Sequence, residues 1–418
     1  MICELRISEL GEIITGNTPP TSDRSLYNGS YPLIMPTDIV EGQKYIGATE
    51  ETVSDKGFEK YKRSLIPKDT PCVVTIGSIG KKICLSKEDS LTNQAINAVK
   101  VYQDKFDPIF VFYLLKYNLP QVKNLSSGTA SGRENVSKSS FGKIKVKLPK
   151  DLTTQKKIAS ILSAYDDLIE NNNQRIKLLE EMAEEIYKEW FVRMRFPGYQ
   201  NAKFLDKDGT EVPHGTEGAL PEGWRDGKVG DLIEIKKGKN ITQSTITEGS
   251  VPVVAGGLTP AYYHNTANTI SPTITVSASG ANSGYVNLYY EDVWVSDCSY
   301  IDSGMTNLLY FFYSTLRVRQ KEVFHLQKGS AQPHVYSKDI MSLKLSYPEG
   351  ILLNQFEDLI KPFYDEIGVL KNKNKVLRET RDLLLPRLIS GKLSVEKLKY
   401  NEPENLSMAA EPVAHYNG

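Results

Sequence analysis

The sequence predicts an α+β protein written twice: two similar β-rich domains, each followed by one long helix, the helices pairing as an antiparallel coiled coil with pseudo-twofold symmetry. Three observations predict it: an ordered internal repeat, two helical apolar stripes of about 40 residues, and strand signals bounded by Gly, Pro and Ser. Leu10-Gly11-Glu12-Ile13-Ile14 returns as Val229-Gly230-Asp231-Leu232-Ile233, and Tyr31-Pro32-Leu33-Ile34 as Val251-Pro252-Val253-Val254. Leu125-Ser126-Ser127-Gly128-Thr129-Ala130 is echoed by Leu326-Gln327-Lys328-Gly329-Ser330-Ala331. Val136-Ser137-Lys138 matches Tyr336-Ser337-Lys338, and Leu148-Pro149 matches Tyr347-Pro348. Order is kept while the offset shrinks between the second and third matches, as a loop deletion in the second half would cause. A repeat unit far longer than the roughly 20–50 residues of a solenoid is a domain duplication.

In chain order, residues 1–150 form the first β-rich domain, with strands expected at 72–76 and 144–148 and a short helix at 109–117. The first long helix occupies 151–195 and is most regular from about 153 to 192. There Ile158, Ile161, Tyr165, Leu168, Ile176, Leu179, Met182, Ile186 and Trp190 recur at three- and four-residue steps. Residues 196–223, rich in Gly, Pro and Asp, are a linker. The second β-rich domain covers 224–349, with a strand at 273–276 and a short helix at 307–316. The second long helix occupies 350–395, its stripe carried by Phe356, Leu359, Phe363, Ile367, Leu370, Leu377, Leu384 and Leu388. Gly391 stops it, and Pro362 should kink or weaken its first turns. Asn172 and Asn374 interrupt the stripes near their middles. A buried Asn in a helix pair costs stability but fixes register, and antiparallel pairing would bring the two together. The tail, 396–418, has no assigned role.

A chain of 418 residues exceeds the usual single domain. No apolar run reaches the roughly 18–20 residues that cross a bilayer. Met1-Ile2-Cys3-Glu4 lacks the basic head and apolar stretch of a secretory leader. Cys3, Cys72, Cys84 and Cys298 lack Cys-x-x-Cys spacing, which reads as reduced thiols in a cytoplasmic protein. A formal net charge of zero excludes a uniformly basic nucleic-acid binder, although not one with a basic face. Charge is indeed segregated. Lys123, Arg133, Lys138, Lys143, Lys145, Lys147 and Lys150 face the single acid Glu134 across residues 121–150, while Glu180, Glu181, Glu184, Glu185 and Glu189 lean the other way.

Catalytic motifs are missing. Gly77-Ser78-Ile79-Gly80-Lys81-Lys82 lacks the spacing and the Ser or Thr of a phosphate loop. The histidines, at 214, 264, 325, 334 and 415, have no metal-ligand spacing. What remains is binding chemistry. Each unit carries two Gly/Ser-rich loops beside polar and basic residues: 76–82, answered by 277–284, and 126–138, answered by 327–338. Small residues let backbone N–H groups approach phosphates, and Arg or Gln side chains can bond base edges. Candidate DNA contacts in the first unit are Ser78, Lys81, Lys82, Thr129, Arg133 and Lys138. In the second they are Ser279, Asn282, Lys328, Ser330, Gln332, His334 and Lys338.

With these residues in view, the chain resembles the specificity subunit of type I restriction-modification systems. The match runs from Gly128-Thr129 through Leu148-Pro149 to Gln155, and from Gly329-Ser330-Ala331-Gln332-Pro333-His334 through Pro348 to Gln355. Leu220-Pro221-Glu222-Gly223-Trp224 looks like the family's opening of a target-recognition domain. Thr75-Ile76-Gly77-Ser78-Ile79-Gly80-Lys81 and Leu91-Thr92-Asn93-Gln94-Ala95 look like its early loop and strand, and the run from Leu383 to Gly391 like its second-helix ending. The first unit lacks the Leu-Pro-x-Gly-Trp opening, and the second lacks a clear Asn-Gln. The resemblance implies that each β-rich domain is a target-recognition domain reading one half of a split site in double-stranded DNA. It implies that the helices act as a ruler and a dock for two methyltransferase subunits, joined by motor-nuclease subunits where cleavage occurs. It also implies no catalysis by this chain and no cofactor bound to it, S-adenosylmethionine being held by the methyltransferase partners. The alternative is a coiled-coil scaffold whose duplicated domains bind proteins, which a shallow salt dependence would reveal. Arg133→Ala is expected to weaken DNA binding by roughly 1–3 kcal/mol if Arg133 reads a base; titration against DNA substituted in the first half-site checks it.

Overall fold

A computed structural model describes residues 2–128, 134–329 and 332–396. The chain divides into two compact units, one built on Met1–Asn171 and the chain from Lys373 onward, the other on Asn172–Asn372. Each unit therefore takes part of both long helices.

In the first unit, β1 (Ile2–Arg6) leads through α1 (Ile7–Leu10) to β2 (Gly11–Thr15), β3 (Tyr27–Ile34) and β4 (Glu51–Val53). There follow α2 (Asp55–Tyr61), β5 (Pro71–Val74), β6 (Ile83–Leu85), β7 (Leu91–Thr92) and β8 (Ile96–Val101). Then come α3 (Pro108–Tyr117), α4 (Leu119–Asn124), β9 (Ser127–Gly128), β10 (Glu134–Asn135), α5 (Lys138–Gly142) and β11 (Lys145–Pro149). A four-stranded antiparallel sheet has the order β2-β8-β5-β6, and a three-stranded one the order β4-β3-β7 with β3 and β7 parallel. β1 pairs with β11, so the strand that opens the domain lies against the one that closes it. Asp107 caps α3 by accepting from the Phe110 amide at 2.7 Å, and Pro108 follows at the first helical position, where its missing N–H costs nothing.

The second unit opens with a small sheet of β12 (Phe204–Leu205), β13 (Glu211–Val212) and β14 (Leu220–Pro221), in the order β13-β12-β14. This sheet lies in the expected linker, where two-residue strands leave no periodic signal to read. There follow β15 (Trp224–Lys228), β16 (Lys236–Lys237), β17 (Val251–Val254), β18 (Tyr262–His264), β19 (Thr273–Ser277), β20 (Val286–Tyr289), β21 (Trp294–Val295) and β22 (Cys298–Asp302). Then come α6 (Leu309–Val318), α7 (Gln320–His325), α8 (Ser337–Met341) and β23 (Lys344–Pro348). The sheets are β16-β22-β19-β20, β18-β17-β21 with β17 and β21 parallel, and β15-β23. These three sheets repeat those of the first unit in order and direction, as the repeat requires, while the β9–β10 pair is reduced to an isolated bridge between Lys328 and His334. The shrinking offset also has its place. Residues 35–50 between β3 and β4 become 255–261, and residues 54–70, which carry α2, become 265–272.

The first long helix, Leu152–Tyr187, ends in a π-helical turn at Lys188–Val192; the second, Ile351–Ile389, continues through Pro362 and stops before Gly391 at φ 72°. Within each unit the helix segments run antiparallel. In the first, the Lys157 Nζ reaches the Glu396 carbonyl at 3.3 Å, while Asp166, farther along, meets Arg381. In the second, Arg175 pairs with Glu366 at 2.8 Å, and the rings of Trp190 and Phe356 lie 5.5 Å apart. Asn172 and Asn374 are both buried, as their places on the stripes predict. Among the described residues no helix is long and apolar enough to cross a membrane.

Each core joins domain to helices. In the first, Phe110, Phe112 and Leu115 of α3 pack with Ile158 and Leu162 of one long helix and Leu385, Leu388 and Ile389 of the other. In the second, Phe311, Phe312 and Leu316 of α6 pack with Tyr187, Trp190 and Phe191, and with Phe356 and Ile360.

Unlike α3, α6 has no side-chain cap of its own. The buried Glu357 on the second long helix supplies one, accepting from the amides of Tyr310 at 2.9 Å and Phe311 at 2.8 Å. A carboxylate there satisfies orphan donors and meets the positive end of the helix. Burial nonetheless outweighs those bonds and lifts the Glu357 carboxyl to about 7. A carboxyl raised on folding binds its proton more tightly in the folded state. Its contribution is full below the ordinary glutamate range and is lost as pH rises through about 7. Glu357→Gln, which keeps an acceptor without the titration, is expected to flatten the decline in stability between about pH 4.5 and 7, a slope worth up to roughly 3 kcal/mol; urea melts across that range check it.

Candidate nucleic-acid interface

In each unit the strand order delivers a cluster of loops to one end of the sheets. For the first unit these are the loop after β2, the β3–β4 loop, the β5–β6 loop, the β7–β8 loop and the segment from α4 to α5. The β5–β6 loop holds Ser78 and Lys81, both exposed, and Lys82, whose Nζ donates to the Pro36 carbonyl of the β3–β4 loop at 2.7 Å. The Gly77 amide donates to the Glu134 carbonyl at 3.2 Å, tying that loop to the segment before α5. Lys138 is exposed at the start of α5, beneath the Ser137 cap. Thr129 and Arg133 lie outside the described residues. The Thr18 hydroxyl, in the loop after β2, donates to the Gln94 side-chain carbonyl at 2.7 Å.

The second unit repeats the arrangement. Ser279 in the β19–β20 loop donates its hydroxyl to the Asp297 carboxylate, and the Asn282 Nδ2 reaches the Gly256 carbonyl of the β17–β18 loop at 3.5 Å. The Gly280 amide donates to the Pro333 carbonyl at 3.2 Å, joining that loop to the segment before α8. Lys328 and His334 exchange two backbone hydrogen bonds of 2.9 Å, and the His334 ring stacks on Tyr336 with centroids 6.0 Å apart. Lys338 sits over the same Tyr336 ring at 5.8 Å, and Gln332 is exposed. Ser330 lies outside the described residues. Beneath these loops the Cys298 thiol donates to the Ala255 carbonyl at 3.2 Å, and burial pushes it up to about 12, so it is an inert prop.

Two glycines show how closely the loop ends match. A β-carbon on Gly16 would lie 2.2 Å from the Asn93 carbonyl oxygen, and one on Gly238 would lie 2.3 Å from that of Ser296. The Asn93 amide donates to Ile34 at 3.0 Å, and the Ser296 amide to Val254 at 2.8 Å. Ser296-Asp297 is therefore the structural counterpart of Asn93-Gln94, which the second repeat seemed in sequence to lack. The structure brings the sequence-selected loops of each unit together and adds three others to each cluster. Thr18, Gln94 and Asp297 were missed because no Gly/Ser-rich or basic run contains them; Lys239, in the loop after β16, and Gly256 do stand in such runs, Lys236-Lys237-Gly238-Lys239 and Gly256-Gly257, but without counterparts in the first repeat. The glycine just beyond β2 and β16, and the lysines around the second of them, were the available signals.

Among the described residues no group of three His, Cys, Asp or Glu could hold a metal ion. What the loops offer is backbone amides, hydroxyls, amide side chains and lysines, a set suited to polyanion contact rather than bond-making.

The family model of the type I restriction modification DNA specificity domain matches this chain twice, over residues 4–181 and 221–378, and the chain belongs to that family. It is 27% identical over 417 residues to the type I restriction enzyme MjaIX specificity subunit of Methanocaldococcus jannaschii, covering 94% of each chain. It is 30% identical over 179 residues to the HindI specificity subunit of Haemophilus influenzae, covering 42% of this chain and 38% of that one. The crystal structure of a type I restriction-modification S subunit from M. genitalium superposes with a TM-score of 0.60 at 18% identity, over 93% of this chain and 96% of the other, a likeness of fold. Specificity subunits are a non-catalytic class.

One lysine of the cluster is already paired. The Lys328 Nζ lies 2.6 Å from Asp339, whose other carboxylate oxygen is buried without a partner. Asp339→Asn keeps an acceptor for Lys328 and removes the counter-charge. It is expected to tighten DNA binding at low salt and to steepen the plot of log affinity against log salt by up to about 0.9, the increment for one more neutralised phosphate; a salt titration of DNA affinity checks both.

Proposed function

We propose that this chain is the sequence-reading subunit of a type I restriction-modification complex, each unit's loop cluster contacting one half of a split site in double-stranded DNA. One observation carries the reading: two domains of identical strand order, in one chain, present the same loops at the same end of their sheets. A duplicated reader on a helical spacer suits two short sequences separated by a gap, as DNA-binding duplications generally do. Its neutral net charge fits a reader whose phosphate contacts are local.

Partners follow from this reading. Two methyltransferase subunits dock on the long helices and supply S-adenosylmethionine, and a motor-nuclease subunit joins where cleavage occurs. The work is done in the cytoplasm. This chain contributes sequence choice and placement, and the partners contribute the methyl transfer. The proposed contacts are the thirteen residues named from the sequence, joined by Thr18, Gln94, Lys239 and Asp297. Loop amides position the phosphates, while Gln, Asn and Arg side chains read base edges.

Modularity tests the proposal. Replacing residues 11–146 with the equivalent segment of a relative is expected to change the first half-site and leave the second, read from residues 224–345, as it was. Methylome sequencing of cells carrying the exchanged chain checks it. A change in both half-sites, or in neither, defeats the two-module reading.

A further inference from the structure

The first unit buries a charge cluster where three chain segments meet. Asp166 on the first long helix and Arg381 on the second form an ion pair with side-chain exposures of 3% and 4%. The hydroxyl of the fully buried Tyr113, from α3, donates to the second Asp166 oxygen. Arg381 also contacts Asp382 at 2.9 Å. The carboxylate thus serves the domain on one side and the other helix on the other.

Such a pair contributes little to stability compared with apolar side chains of the same shape, because both ions must be stripped of water. Its value lies in its intolerance of error. Leu162, Leu385 and Leu388 lie in the same core and are alike in size, so apolar packing alone discriminates weakly against a small slip of one helix along the other. The same slip would strand a carboxylate and a guanidinium without partners in an apolar core. A single buried polar contact fixes register in helix pairs for the same reason. The second unit joins its α6 by other means, stacking Tyr310 on Tyr364 with centroids 4.8 Å apart and capping the helix with Glu357.

We infer that Tyr113, Asp166 and Arg381 form a positioning device that holds the first reading domain in one register on both long helices and so sets which gap between half-sites is accepted. The inference rests on the split-site reading above. None of the three residues lies in a loop that reads DNA, so each half-site sequence should be read as before while the permitted separation changes.

The test uses the full complex with its methyltransferase subunits. The substrates are duplexes carrying both half-sites at the natural gap, or with the gap one base pair shorter or longer. Asp166→Leu combined with Arg381→Met replaces the pair by apolar side chains of similar length. It is expected to fold, to keep both half-site sequences, and to lose selectivity for the natural gap by about tenfold, a modest loss for a misplacement on the ångström scale. A folded double variant with the wild-type ratio of methylation across the three gaps overturns the inference. Should that variant not fold, Tyr113→Phe decides: it removes one hydroxyl and is expected to lower the ratio about threefold, and an unchanged ratio overturns the inference equally. If the wild-type complex itself methylates single half-sites as well as paired ones, it is the split-site reading that fails.

Discussion

Two short aromatic helices cannot be buried by the domains that contain them, and most of the architecture answers to that constraint. In Pro108–Tyr117 every residue from Phe110 to Leu115 is buried, and in Leu309–Val318 every residue from Leu309 to Leu316 is. A helix apolar on all sides needs cover on all sides. Its own sheet covers one side, and the long helices cover the other. Because the long helices run antiparallel in each unit, the cover comes from both of them, and the second helix completes the first core with Leu385, Leu388 and Ile389. The long helices are thus shared structural members, not appendages of the domains that precede them.

That division of labour frees the loops. The cores are closed by the aromatic helices and the long helices, and the loops at the far ends of the strands add only single anchors such as Ile39 and Ile79, which leaves many of their other side chains exposed. The shared turn geometry is kept by backbone contacts, such as those of Asn93 with Ile34 and Ser296 with Val254. Side chains on the same loops differ between units, with Gln94 standing where Asp297 stands. A common backbone with different side chains is what a scaffold needs if one design is to present two different recognition surfaces.

Polar groups inside the cores follow a similar logic. Glu357 and the Asp166–Arg381 pair are costly to bury, and each lies where a domain meets the helices that carry it. Apolar packing supplies the bulk of the adhesion but is forgiving of small slips. The polar contacts are unforgiving, and they define one arrangement among several that hydrophobic burial alone would permit.

By itself the sequence determined the duplication, the fold class, the two long helices and the paired Gly/Ser-rich loops. These are local or periodic signals: apolar residues at helical steps, Gly391 as a helix stop, and motifs such as Leu10-Gly11-Glu12 that return as Val229-Gly230-Asp231. It also carried the family resemblance, because that rests on motif order. Tertiary structure alone decided the rest. The sheet in 196–223 is made of strands too short to show a period, and the two deleted loops were located only once β4 and β18 were seen to be equivalent. Gln94, Asp297 and Lys239 joined the loop clusters only when strand order brought distant turns to one end of the sheets. Nothing local marks Asp166 as buried, and its partner Arg381 is more than two hundred residues away in the chain. Periodicity records which face of an element is buried, but not what covers it, and contacts between distant segments leave no local trace in the chain.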